Sequence, residues 1–125
     1  MTVFIDSDVL MEVLRGQDEG ILTQWRSLAE AEAALLFSPV SAAEIWSPAQ
    51  AREHVRIEQL FRPLLCAPID GETGKLAGEY LRKFSRSHGL KTADALIAAT
   101  AIRYHAALWT RNRDRYPMQE LSFYD

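Results

Sequence analysis

Short apolar runs alternate along the chain with longer segments whose apolar residues recur every three or four positions. Val3-Phe4-Ile5 has the composition of a buried strand. After Asp6-Ser7-Asp8, residues Val9, Leu10, Val13 and Leu14 line one helical face, and Gly16 offers a stop. Ile21, Leu22, Trp25 and Leu28 predict a second helix over about Asp18 to Ala31, and Ala34–Phe37 a second strand ended by Ser38-Pro39. Ser41-Ala-Ala-Glu44 is a capping-box pattern, so a third helix is expected to open there and to stop or kink at Pro48. Another follows from about Ala49 to Phe61. Leu64–Ile69 reads as a third strand, short and near an edge because of Pro68. Asp70 is the expected cap of a helix carrying Leu76, Ala77, Tyr80, Leu81 and Phe84, which Gly89 closes. Thr92 is the expected cap of an alanine-rich helix to about His105; Ala107–Thr110 is a fourth strand and Leu121–Tyr124 a candidate last one. Strands alternating with helices predict an α/β fold: one domain over residues 1–125, with a short parallel sheet of about four to five strands layered with helices.

Composition narrows this little. At 125 residues the chain can bury a core without staples, and 48% apolar with 25% charged residues is ordinary for a globular domain. No apolar run reaches membrane-spanning length, and no secretory pattern opens the chain. The lone cysteine, Cys66, lies in an apolar run and is expected to be inert; it allows neither an intrachain disulfide nor a cysteine-based zinc site. A cytoplasmic protein is expected. The net charge of −3 does not advertise a nucleic-acid binder, yet Arg82, Lys83, Arg86 and Lys91 form one basic group and Arg103, Arg111, Arg113 and Arg115 another. These are either solvated faces or a basic patch coexisting with a negative total.

The acids change the picture more. Asp6 ends the first strand, Glu44 falls in the first turn expected after the second, and Asp94 opens the helix that feeds the fourth. A helix leading directly into a parallel strand runs antiparallel to it, so its N-terminus lies at the carboxyl edge of the sheet. All three carboxylates are therefore expected at one edge, where Asn112 and Asp114 also arrive, and where open α/β sheets place their ligands. Each acid has a structural explanation of its own. Asp6 or Asp8 can cap the first helix, Glu44 can pair with Ser41, and Asp94 can complement a helix dipole. Together they repel unless a cation neutralises them, and hard oxygen donors without histidine or thiolate suit Mg²⁺ or Mn²⁺. Such a site hydrolyses phosphodiesters by activating a water and stabilising the leaving oxygen. His54, His88 and His105 lack zinc-type spacing, Gly71 to Gly78 is no phosphate loop, and Trp25, Trp46 and Trp109 are expected in the core.

Val3-Phe-Ile-Asp-Ser-Asp-Val-Leu10, Glu44, Lys91-Thr-Ala-Asp-Ala-Leu-Ile-Ala-Ala-Thr100 and Leu108-Trp-Thr-Arg-Asn112 together resemble a PIN-domain ribonuclease, and within that family the VapC-type toxins of bacterial type II toxin–antitoxin pairs. The resemblance spans essentially the whole chain. It implies an Mg²⁺- or Mn²⁺-dependent endoribonuclease, a homodimer, no membrane association, and an antitoxin partner whose peptide blocks the acidic groove. Asp6, Glu44 and Asp94 match the metal-binding, catalytic acids of the family. The fourth acidic position falls on Asn112, which can coordinate through its carbonyl oxygen but adds no charge. Asp114 either substitutes for the missing acid or pairs with neighbouring arginines. Ser7 and Thr110 are candidate hydroxyls for orienting carboxylates, and Arg111, Arg113 and Arg115 are candidates for holding RNA phosphates. Two other readings fit parts of the same opening. One is a haloacid-dehalogenase-type phosphatase with Asp6 as nucleophile; the other is a PIN-like binding module without catalysis.

Overall fold

The computed structural model describes all 125 residues. Four strands, β1 (Thr2–Ile5), β2 (Ala34–Phe37), β3 (Leu65–Cys66) and β4 (Ala107–Trp109), form a parallel sheet in the order β3-β2-β1-β4. Six helices connect and cover them: α1 (Ser7–Arg15), α2 (Glu19–Glu30), α3 (Pro39–Trp46), α4 (His54–Phe61), α5 (Gly71–His88) and α6 (Thr92–Arg103). Side chains on successive strand residues point to opposite faces. Phe4, Leu36 and Leu108 accordingly enter one core with α5 and α6. Val3, Ile5, Leu35 and Trp109 enter a second core with α1, α2, α3 and α4. Covering both faces is what makes these strands read as unbroken apolar runs.

Helix α6 has almost no polar face. Ala95, Ala98, Ala99 and Ala101 are fully buried, because small residues let its backbone lie close to its neighbours. Thr100, also fully buried, satisfies its hydroxyl by donating to the Leu96 carbonyl oxygen at 2.7 Å. Gly16 and Gly89 close α1 and α5 at φ +70° and +64°, where a side chain would be strained.

Several expectations need correction. The third helix opens three residues earlier than the Ser41–Glu44 pattern suggests. Pro39 is its first residue, tolerated there because that N–H has no helical partner, and Ser38 caps it by accepting from the Val40 N–H at 3.0 Å. Ser41 is instead fully buried, with a hydroxyl that has no protein partner. Helix α6 is capped at Lys91, and Thr92 is its first residue. The segment from Ala49 to Phe61 divides into a single 3₁₀ turn over Ala51–Glu53 and then α4. Leu121–Tyr124 makes one parallel bridge, Leu108 with Phe123, rather than a strand. Cys66 is exposed, because β3 is a two-residue edge strand.

Candidate active site

The site begins where β1 stops. Asp6 caps α1, its Oδ1 accepting from the Ser7 N–H at 2.8 Å. Only 5% of Asp6 is exposed, and a charge so buried must be supplied with protons. Two hydroxyls supply them to Oδ2: Thr110 Oγ1 donates at 2.9 Å and the Tyr116 phenol at 2.7 Å. Thr110 follows β4, and β4 is hydrogen-bonded beside β1, with Ile5 opposite Trp109. The sheet register therefore carries Thr110 to Asp6. Tyr116 is itself buried. Its burial, and then the charges of Asp6, Asp94 and Asp8, push its acidity far out of the neutral range, so it remains a proton donor.

Asp8, one residue into α1, reaches the same turn. Its Oδ2 accepts from the Arg111 N–H and the Asn112 side-chain amide, each at 3.1 Å, and lies 3.3 Å from Thr110 Oγ1, whose one proton goes to Asp6 at the shorter distance. Its Oδ1 is buried without a partner. Burial first and the neighbouring Asp6 charge second raise the Asp8 carboxyl above its ordinary range, against the lowering effect of its donors.

Glu44 and Asp94 come from elsewhere in the chain. With α3 starting at Pro39, Glu44 lies in its second turn, free of the capping role that the sequence suggested. Its Oε1 accepts instead from Ser7 Oγ at 3.0 Å, across 37 residues of sequence. Asp94, in the first turn of α6, accepts a long 3.4 Å bond from the Lys91 N–H. The Arg115 guanidinium lies 3.7 Å from its other oxygen. Glu44, Lys91, Asp94, Arg115 and His88 line one cleft of about 340 Å³. Two roomier cavities, of about 380 and 540 Å³, lie elsewhere and hold one acid each.

As they stand, no three carboxylates converge on one point at coordination distance. Hydroxyls and a guanidinium serve them instead: Thr110 and Tyr116 on Asp6, Ser7 on Glu44, Arg115 on Asp94. In kind, the donors fit a hard divalent cation, being carboxylate oxygens gathered at one edge with one buried oxygen left without a proton.

The candidates after β4 fare unequally. Thr110 and Ser7 both donate to acids. The Asn112 amide is directed at Asp8. Asp114 is exposed on a 3₁₀ turn, Arg113–Arg115, and pairs with none of the arginines beside it. Arg111 pairs with Glu12 at 3.0 Å and approaches Asp18 at 3.9 Å, so it ties this turn to α1 and the cap of α2. Arg113 bonds the Tyr124 carbonyl oxygen and the Asp125 carboxylate and lies over the Phe123 ring. Arg115 alone of the three lines the acidic cleft. Sequence reasoning missed Tyr116. The available signal was an aromatic residue, with Met118 close behind, in an otherwise charged loop; both are buried.

Comparison with known proteins places the chain among relatives. The family model described as "PIN domain" matches residues 3–122. Ribonuclease VapC10 of Mycobacterium tuberculosis is 32% identical over 119 residues, covering 94% of this chain and 88% of that protein. Ribonuclease VapC19 of the same species is 28% identical, covering 91% of each. Among solved structures, VapBC2 from Rickettsia felis bound to a promoter DNA fragment aligns with a TM-score of 0.82 at 19% identity, over 99% of this chain and 98% of that one. FitAcB from Neisseria gonorrhoeae aligns with a TM-score of 0.78 at 23% identity, over 98% and 96% of the two chains.

Proposed function

The chain belongs to the PIN-domain family, in its VapC branch, and from that premise we propose that it is a divalent-metal-dependent endoribonuclease and the toxin of a toxin–antitoxin pair. The observation that carries the reading is the convergence of Asp6, Glu44 and Asp94 on one sheet edge from three separate elements, each with a donor group turned toward it. Asp6, Glu44 and Asp94 would hold Mg²⁺ or Mn²⁺. Such an ion, when bound, supplies a water acidic enough to attack a phosphodiester and steadies the departing oxygen.

The chain's own residues do the rest. Thr110 and Tyr116 fix the Asp6 carboxylate against rotation, and Ser7 does the same for Glu44, as groups behind metal ligands do. Arg115, in the cleft, is placed to exchange Asp94 for a substrate phosphate. Arg111 and Arg113, engaged within the chain, contribute less to RNA binding. An antitoxin partner is supported by neighbours solved as VapBC2 and FitAcB, and a homodimer in the cytoplasm is the accompanying expectation. No helix is long and apolar enough to cross a membrane.

The phosphatase reading is weaker on the sequence. Such an enzyme also needs a later lysine and a Gly-Asp-rich acidic loop beside the nucleophilic Asp, and the chain offers no convincing version of either. Induced expression in a heterologous bacterium tests the proposal. Wild-type protein is expected to arrest growth and generate new RNA 5′ ends, and Asp6→Asn to do neither at equal abundance. Arrest with no new RNA ends would overturn it.

A further inference from the structure

Asp8 is the one acid at this edge with a buried oxygen that no hydrogen bond reaches. Oδ2 takes two protons from the turn after β4, from the Arg111 N–H and the Asn112 amide, and lies 3.3 Å from the Thr110 hydroxyl, whose proton goes to Asp6. Oδ1 is buried and receives none. A buried carboxylate oxygen without a donor is costly, and a second carboxylate beside it adds repulsion. The nearby cations leave it unserved. The guanidinium of Arg111 turns to Glu12 and Asp18, and that of Arg115 to Asp94. Asp6 offers the contrast: both its oxygens receive protons, and Oδ1, with a single donor, still keeps a lone pair.

We propose that Asp8 is a fourth acidic ligand of the cation at this edge. It presents Oδ1 while the turn after β4 anchors Oδ2. The inference rests on the metal-dependent reading above and deepens it. The charge missing at position 112 is then supplied two residues after Asp6 instead. Asn112 positions Asp8 through its amide and does not itself face the ion.

The test is Mn²⁺ binding to the purified, RNA-free protein, followed by calorimetry and by the electron paramagnetic resonance of free Mn²⁺, so that activity is not the readout. Asp8→Asn keeps an acceptor for the Arg111 N–H and the Asn112 amide, and removes the charge and the free oxygen. It is expected to weaken Mn²⁺ binding roughly tenfold or more, the scale at which changes around a metal site act. Asp114→Asn, which removes an equal charge from an exposed place on the turn, is expected to change it less than about threefold. Affinity in Asp8→Asn within threefold of wild type would overturn the proposal, as would an equal loss in Asp114→Asn. Asp94→Asn, measured alongside, separates the two levels of failure. If wild type binds no Mn²⁺, or Asp94→Asn binds as wild type does, the site reading itself falls. If Asp94→Asn loses binding and Asp8→Asn keeps it, Asp8 alone is excluded.

Discussion

Asp6 is an acid whose usefulness depends on what holds it. Its Oδ2 takes one proton from a hydroxyl after β4 and another from a phenol six residues further on, so its direction is set by residues more than 100 positions away. Removing either donor without adding bulk tests how much that orientation matters. Tyr116→Phe and Thr110→Val are each expected to lower kcat/KM for RNA about 10- to 100-fold, with a smaller effect on affinity for RNA measured without metal. Unchanged kcat/KM in both would reduce these hydroxyls to packing. Legibility at this scale was uneven. Asp6, Glu44 and Asp94 were readable because strand and helix ends have sequence signals that place acids topologically. Tyr116 was not, because it arrives on a loop whose course no periodicity describes. The Ser41–Glu44 pattern misled because Ser38-Pro39, three residues earlier, is the stronger start: a capping hydroxyl followed by a residue with no N–H to satisfy.

At the level of elements, helix ends do much of the positioning. The N-terminus of α5 is capped by Asp70, which accepts from the N–H and the hydroxyl of Thr73, and Arg103 at the end of α6 reaches the same oxygen. These partners, the Thr73 N–H first, its hydroxyl next and Arg103 after them, hold the Asp70 carboxyl below its ordinary value of 3.8. A carboxyl lowered in the folded state adds stability that is fully present above the unfolded value and is lost as pH falls through the folded one. Asp70→Asn is therefore expected to lower the Tm at neutral pH, and the gap from wild type to close as pH falls below about 4. A gap of constant size down to about pH 2 would contradict that linkage. Strand cores, Gly16, Gly89 and the Asp70 cap were legible because each rests on a local rule. The brevity of β3 and the reduction of Leu121–Tyr124 to one bridge were not, because each depends on how far a neighbouring strand extends.

For the whole molecule, the charge distribution outweighs its total. A net charge of −3 conceals a sheet edge where acids gather and one arginine of the last turn shares their cleft. If Arg115 holds a phosphate, Arg115→Gln should flatten the dependence of log affinity for single-stranded RNA on log salt by about 0.7. Arg113→Gln, whose guanidinium serves the C-terminal segment, should change it less. Equal slopes for both variants would move RNA binding off this cleft. The parallel α/β class was legible from alternating strands and helices, whereas the strand order and the division of labour among three adjacent arginines required the folded chain. The proposed cleavage needs carboxylates working together through a divalent ion. Its most direct test is cleavage of a long single-stranded RNA by wild-type and Asp94→Asn proteins purified side by side, with Mn²⁺ and with excess chelator. Wild type is expected to cut with Mn²⁺ and stop with chelator, and Asp94→Asn to be slower by roughly a thousandfold or more, the loss of one transition-state contact worth about 4 kcal/mol. Equal cleavage by the two proteins, or cutting that persists in chelator, would contradict it.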